Sequence, residues 1–209
     1  MNPQVGSQNF DGNWPSYYQA VAGRPPRDTL LTALERFETE QPDSKTPRFA
    51  VDLGCGEGRD TIELLNRGWR VLAIDSHPQG ISRLLSRSDL QHRDRLETRL
   101  APFQEARWPD ADLVNASFSL PFCQPSFFPV VWDRIVRSLR PSGRFAGQLF
   151  GDRDEWATIT TNTHHTHAEA EALFQLFEIE RFDEVEQDGQ TALGKQKHWH
   201  LFHIVARKL

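Results

Sequence analysis

Residues 49–65 read FAVDLGCGEGRDTIELL. An apolar, β-rich run (48–54) meets three alternating glycines, Gly54, Gly56 and Gly58, and passes at once into a helix-like run over roughly 58–67. A strand that turns through bare glycines into a helix lets a ligand approach the main chain, with a helix N-terminus aimed at it. The next apolar run, RVLAID (70–75), ends in Asp75. That acid lies roughly 20 residues beyond Gly54, where a carboxylate at the end of the second strand accepts hydrogen bonds from both hydroxyls of a ribose. Gly54 and Asp75 together imply an adenosine-like ligand at the carboxyl edge of a sheet.

The ligand is not expected to be a dinucleotide. The dinucleotide fingerprint is G-x-G-x-x-G, and its sixth position is here Arg59. The spacing is instead G-x-G-x-G, with Asp52 two residues before the first glycine. An acid there repels a pyrophosphate and suits a ligand that is cationic at this end, an ammonium or a sulfonium. The phosphate-cradling pattern G-x-x-x-x-G-K-[ST] is absent as well.

Outward from this stretch the chain alternates. PRDTLLTALERFETE (26–40) puts Leu30, Leu31, Leu34 and Phe37 on one helical stripe, which Pro42 and Pro47 end. A helix is predicted over about 78–87, strands over 96–101 and 111–117, and a helix from about Ser126. Its stripe is Phe127, Val130, Val131, Ile135 and Leu139, ending at Pro141-Ser142-Gly143; a strand then follows over 143–151. Strands and helices in this rhythm make crossover units and a mostly parallel, doubly wound α/β sheet with helices on both faces. Thr166 and Glu169 form a capping box for the helix AEAEALFQLF. Two extended runs then follow with no helix between them, turning around Asp188-Gly189 and a longer loop, so an antiparallel hairpin closes a seven-stranded sheet. Residues 1–25 are expected to be a lead-in or lid segment and 26–209 a single domain.

VDLGCGEGRD, VLAID and LRPSGRF, in that order, resemble the class I S-adenosylmethionine-dependent methyltransferases. The first stretch is most similar to their small-molecule branch, including the tellurite-resistance type. The resemblance implies a Rossmann-like fold with S-adenosyl-L-methionine as cofactor and S-adenosyl-L-homocysteine as product. By position, Asp52, Gly54, Cys55 and Gly56 would line the methionine moiety, the acid reaching the ammonium directly or through water. Asp75 would hold the ribose, with Ser76 and His77 beside the adenine. In APFQEA, Phe103 could pack on the ring and Gln104 bond its amino edge, where the family often has Asp. Asn115, Ala116 and Phe118 would close the site beside the methyl group.

Methyl transfer from a sulfonium is an in-line displacement of an already activated reagent, so no catalytic residue is obligatory and none is assigned. Acceptor contacts are sought in two segments. One is NWPSYYQAVAGRPP, where Trp14, Tyr17, Tyr18 and Arg24 can form a lid. The other is FGDRDEWATITTNTHHTH, with Trp156. His198 and Trp199 are further candidates at the pocket edge. The histidines supply no third ligand of matching spacing, so no metal is expected.

Composition bounds the rest. A formal charge of −5 argues against a general nucleic-acid binder, and no DNA partner is expected. Cys55 and Cys123 lack CxxC spacing, which fits a reducing compartment. No window reaches the ~18 apolar residues of a membrane span, and the N-terminus has no apolar h-region, so the sequence reads as cytoplasmic. The expected function is methyl transfer to a small-molecule acceptor. The alternatives are a protein that binds the sulfonium cofactor without transferring its methyl, and a nicotinamide-dependent oxidoreductase.

Overall fold

The short apolar runs become strands and the amphipathic ones helices that cover them. A computed structural model describes residues 14–40 and 46–209. Helices α1 (Trp14–Val21) and α2 (Asp28–Glu40) precede the sheet. Then come β1 (Phe49–Leu53), α3 (Arg59–Asn66), β2 (Arg70–Asp75), α4 (Pro78–Leu85), β3 (Leu96–Leu100) and β4 (Ala111–Ala116). The second half holds α5 (Phe128–Ser138), β5 (Leu139–Gly151), a two-residue β6 (His164–His165) and α6 (His167–Ala172). It ends with β7 (Phe177–Gln190) and β8 (Gln196–Lys208).

The strand order is β3-β2-β1-β4-β5-β8-β7, with β6 beside β5. The first five strands are parallel, and β8 runs antiparallel to both β5 and β7. The expected seven-stranded sheet with its antiparallel hairpin is therefore present, with β6 as an eighth, short strand. Central strands are buried on both faces, which is why they read as unbroken apolar runs. One face packs Val51, Leu72 and Val114 against Trp132 and Ile135 of α5. The other packs Ala50, Val71 and Ala73 against Leu30 and Leu34 of α2 and Leu64 of α3. Sequence order reverses where β1 lies between β2 and β4, and this switch point opens the crevice at the strands' carboxyl ends.

Four details differ from expectation. Helix α5 buries Phe128, Val131, Trp132 and Ile135, whereas Phe127 and Val130 are 37% and 57% exposed. The helical stripe is shifted by one residue because Phe127 caps the helix from outside it. Pro141-Ser142-Gly143 does not end a helix but lies inside β5. There the register against β4 slips between Ala111 and Leu113 and Ser142 takes a φ of 64°, an irregularity that can accommodate a proline. Asp188 and Gly189 are paired with His198 and Lys197, and the hairpin turns later, with Thr191 N donating to Lys195 O at 2.8 Å. The capping box is present, Thr166 N donating to Glu169 Oε2 at 2.9 Å, but α6 ends at Ala172, before Leu173.

Among the described residues no helix is long and apolar enough to cross a membrane. Within the expected lead-in, residues 14–21 form α1, and the rest of that segment up to residue 13 lies outside the described residues.

Candidate functional site

The turn after β1 is built from main chain. Gly54, Gly56 and Gly58 have φ of 79°, 54° and 84°, in the left-handed region that costs an L side chain energy. Gly54 N and Cys55 N both donate to Ile74 O, at 2.8 and 3.0 Å, which ties the turn to the end of β2. A Cβ on Gly54 would fall 2.3 Å from Ser119 Cβ, and Ser119 is itself fixed by donating to Leu53 O at 2.6 Å. The turn thus passes under the loop after β4 with no room for a methyl group. Cys55 is buried, which pushes its thiol well above the ordinary range and leaves it unreactive.

Two acid groups flank this turn. Asp75, at the end of β2, accepts from Gly56 N at 2.8 Å through Oδ2 and from His77 N at 2.7 Å through Oδ1. Burial raises its pKa, and these N–H donors oppose the rise. Asp52, in β1, is 2% exposed and accepts from Thr61 Oγ1 at 2.5 Å and Asn115 Nδ2 at 2.9 Å. Burial, and then the Asp60 charge, push the Asp52 carboxyl up to about 7. Asp60 takes a second bond from Asn115 Nδ2 at 3.1 Å and one from Arg27 N at 3.0 Å. A buried acid cluster raised in this way favours a bound cation.

These groups border a cavity of about 280 Å³. Every residue expected to contact a cofactor lines it except Asn115 and Ala116. Both of those are fully buried: Asn115 orients Asp52 and Asp60, and Ala116 belongs to the core between sheet and α5. Ser76 and His77 border the cavity beside Asp75, as do Phe103 and Gln104 after β3. Phe118 takes a φ of 50°, held by its N–H donating to Gln148 Oε1 at 2.9 Å, with the Arg27 guanidinium 4.2 Å from its ring centroid. From α1, Trp14 reaches both sides of the opening, its ring 5.1 Å from His77 and 5.8 Å from Phe122. Tyr18 is 2% exposed and lies against the Gly56 turn.

A second cavity, of about 290 Å³, adjoins the first and shares Trp14, Tyr17, Val21, Arg27, Phe118 and Phe122 with it. Arg24 and Trp156, sought as acceptor contacts, line only this one, and Tyr18 lines only the first. Trp199 lines the second cavity and His198 does not. His198 Nδ1 bonds Asp188 at 2.7 Å. Phe150, Leu201 and His203, which the sequence reading left out of the site, also line the second cavity, with Val185, Gln187, Gln190 and Ala192 of the closing hairpin. Leu201 and His203 had a partial signal, since residues 199, 201 and 203 alternate onto one face of β8, whereas Phe150 had none. Arg27 and Arg59 also line the first cavity and were missed, since isolated arginines in a helix and a loop carry no spacing pattern. Among the described residues no group of three or more His, Cys, Asp or Glu is arranged to hold a metal ion.

The family model for a methyltransferase domain matches residues 50–143. A carboxy-S-adenosyl-L-methionine synthase from Hydrogenovibrio crunogenus is 28% identical over 148 residues, 66% of this chain and 57% of its own length. The structure of TehB from Haemophilus influenzae aligns with a TM-score of 0.71 and 16% identity, covering 88% of this chain and 62% of that one. A Burkholderia thailandensis 1,6-didemethyltoxoflavin-N1-methyltransferase, solved with 1,6-didemethyltoxoflavin and S-adenosylhomocysteine bound, aligns with a TM-score of 0.61 and 21% identity over 93% of this chain and 84% of its own. The chain thus spans less than two thirds of the length of both the synthase and TehB. Residues 50–143 thus match a methyltransferase domain, and the sheet order with its closing antiparallel hairpin is the Rossmann-like fold that the chain shares with these methyltransferase structures.

Proposed function

We propose that the protein transfers a methyl group from S-adenosylmethionine, held in the first cavity, to a small molecule held in the second. The observation that carries this reading is the acid pair around the bare glycine turn. Asp75 is fixed by Gly56 N and His77 N so that its remaining lone pairs suit two adjacent hydroxyls, and Asp52 lies beneath the turn where an ammonium would be neutralised. The sulfonium is then carried toward Phe118 and Phe122, two of the six residues common to both cavities.

The chain's part in the reaction is alignment. A nucleophile placed in the second cavity attacks the methyl carbon in line as the carbon–sulfur bond breaks, and the electron pair stays on sulfur as S-adenosylhomocysteine. Trp14 and Tyr17, bordering both cavities, exclude water from the path. Asn115, through its bonds to Asp52 and Asp60, is a positioning residue.

Calorimetric titration with S-adenosylmethionine, S-adenosylhomocysteine and NAD tests the cofactor, with the first two expected to bind and NAD not. The relative's name makes carboxy-S-adenosylmethionine a fourth ligand to titrate, and Arg27 and Arg59 are the cations its extra carboxylate would meet. Screening small-molecule acceptors for release of S-adenosylhomocysteine then tests transfer. Tight cofactor binding with no turnover across chemically varied acceptors would favour a sensor instead.

A further inference from the structure

The two cavities carry opposite chemistry. Four carboxylates, Asp52, Glu57, Asp60 and Asp75, line the first. Among the described residues lining the second there is no aspartate or glutamate, and its formal charges are Arg24 and Arg27. In a chain of net charge −5 this is a local reversal. Its walls are aromatic: Trp14 and Tyr17 from α1, Phe122 after β4, Phe150 from β5, Trp156, and Trp199 from β8. Phe150, Trp156 and Trp199 stand in mutual edge contact, with ring centroids 5.6 to 6.5 Å apart.

An aromatic box by itself would suit a cationic guest. This one already serves a cation of the protein. Lys197 Nζ lies 3.8 Å from the Trp199 ring centroid, 4.6 Å from that of Trp156 and 5.3 Å from that of Phe150, and its side chain is 1% exposed. Asp154 neutralises it from the far side and is held in turn by Trp156 N and His200 N. A second cation would meet two arginines and a sulfonium at close range. A flat anion meets rings on its faces and guanidinium groups at its edge, and arginine pairs with a planar carboxylate through two parallel hydrogen bonds.

We infer that the methyl acceptor is a planar aromatic or heteroaromatic compound carrying a carboxylate or similar anionic group, seated among the rings of the second cavity with its charge toward Arg24 and Arg27. This rests on the methyl-transfer reading for the word acceptor, but not for the binding chemistry. His203, on the same wall, has its Nδ1 buried without a hydrogen-bond partner. It offers the ring one further polar contact.

Four probes separate the features: naphthoate, naphthylmethanol, naphthylmethylammonium and cyclohexanecarboxylate, titrated into the full chain saturated with S-adenosylhomocysteine. Naphthoate is expected to bind roughly tenfold tighter than each of the others, a little over 1 kcal/mol each. Arg24→Gln, at an exposed position, should erase its advantage over naphthylmethanol. Trp199→Ala should erase its advantage over cyclohexanecarboxylate. Retained S-adenosylhomocysteine affinity shows that each variant is folded. The inference is overturned if the ammonium probe binds as tightly as naphthoate, if naphthoate does not bind, or if both preferences survive both substitutions. Should S-adenosylhomocysteine itself fail to bind, the methyl-transfer reading falls, and the same titrations without it still decide the second cavity.

Discussion

The two adjoining cavities are built by different means. The first is made where β1, β2 and β4 end, and its critical groups are main-chain atoms, glycines that leave space, and acids fixed by N–H donors. The second is made of side chains, most of them on pieces added to that frame: α1, the segment around Trp156, and the closing hairpin, with Phe118, Phe122 and Phe150 from the frame itself. One is specified by backbone conformation and the other by surface composition. The first therefore tolerates little, because a backbone shape allows few residues. The second can change its guest by exchanging rings and charges without disturbing the sheet.

The sharpest way to break that contrast is to attack the frame of the second cavity alone. Lys197→Met leaves the Asp154 carboxylate buried without its cation, behind three rings. Removing one member of a buried pair costs about 4 kcal/mol, read as a fall in urea midpoint. Adding Asp154→Leu should recover a large part of this, since a buried pair replaced by apolar groups is often neutral. The folded fraction of the single variant should still bind S-adenosylmethionine normally. If cofactor binding is lost in step with stability, the two cavities are not separable units.

Next in size is the frame of the first cavity. Gly54→Ala combines a left-handed φ with a Cβ placed 2.3 Å from Ser119 Cβ, and the strain and overpacking together are worth about 3 kcal/mol. Gly194→Ala has the same φ of 79° with nothing within 4 Å. It should cost about 1 kcal/mol. Thermal melts of the pair isolate the contribution of the close approach. Equal losses would mean that conformation alone, not the passage under Ser119, demands the glycine.

How much was legible follows from the same difference. The glycine spacing, Asp52 and Asp75 lie in contiguous text, and a parallel sheet puts the carboxyl ends of its strands together, so the first cavity could be drawn from the sequence. The family resemblance placed Asn115 and Ala116 in its wall. Both are buried instead on opposite faces of the strand, Ala116 in the core under α5 and Asn115 against Asp52 and Asp60. The second cavity joins Trp14, Phe118, Trp156 and Trp199, which sit far apart in the chain and meet only through the pairing of β5 with β8 and the placement of α1. No local pattern marks such a meeting. The shifted stripe of α5 and the proline inside β5 were misread for a related reason: a helix boundary and an irregular strand pairing depend on neighbours that the sequence does not place side by side.

Asp75→Ala sharpens the comparison at smaller scale. Its carboxylate is held by two main-chain donors and is expected to accept from the ribose, so its loss should weaken S-adenosylmethionine by about 2 kcal/mol. Naphthoate affinity for the second cavity should stay unchanged. A parallel loss of both would show that the ligands share Asp75 or that the turn has moved.

The smallest effect is the most diagnostic of the acid floor. Asp52 in the folded, empty protein titrates near 7, raised by burial first and by Asp60 next, against about 3.9 in an unfolded chain. Between those values the folded state binds the extra proton, so this group's contribution to stability is highest at low pH and is lost as pH rises toward 7. Asp52→Asn should accordingly raise the stability of the empty protein at pH 8; because the amide keeps one acceptor oxygen for the two donors Thr61 and Asn115, the net gain should be on the order of 1 kcal/mol, with no gain at pH 4. Cofactor binding should move the other way. An ammonium pairs only with the ionised acid, so affinity should climb through about pH 7 and decline above about pH 8, where an α-amino group loses its proton. In Asp52→Asn the climb should vanish while the decline remains, with affinity at neutral pH lower by roughly tenfold. A variant that keeps the climb would put the titrating group elsewhere in the acid cluster and leave Asp52 as a structural acceptor for Thr61 and Asn115.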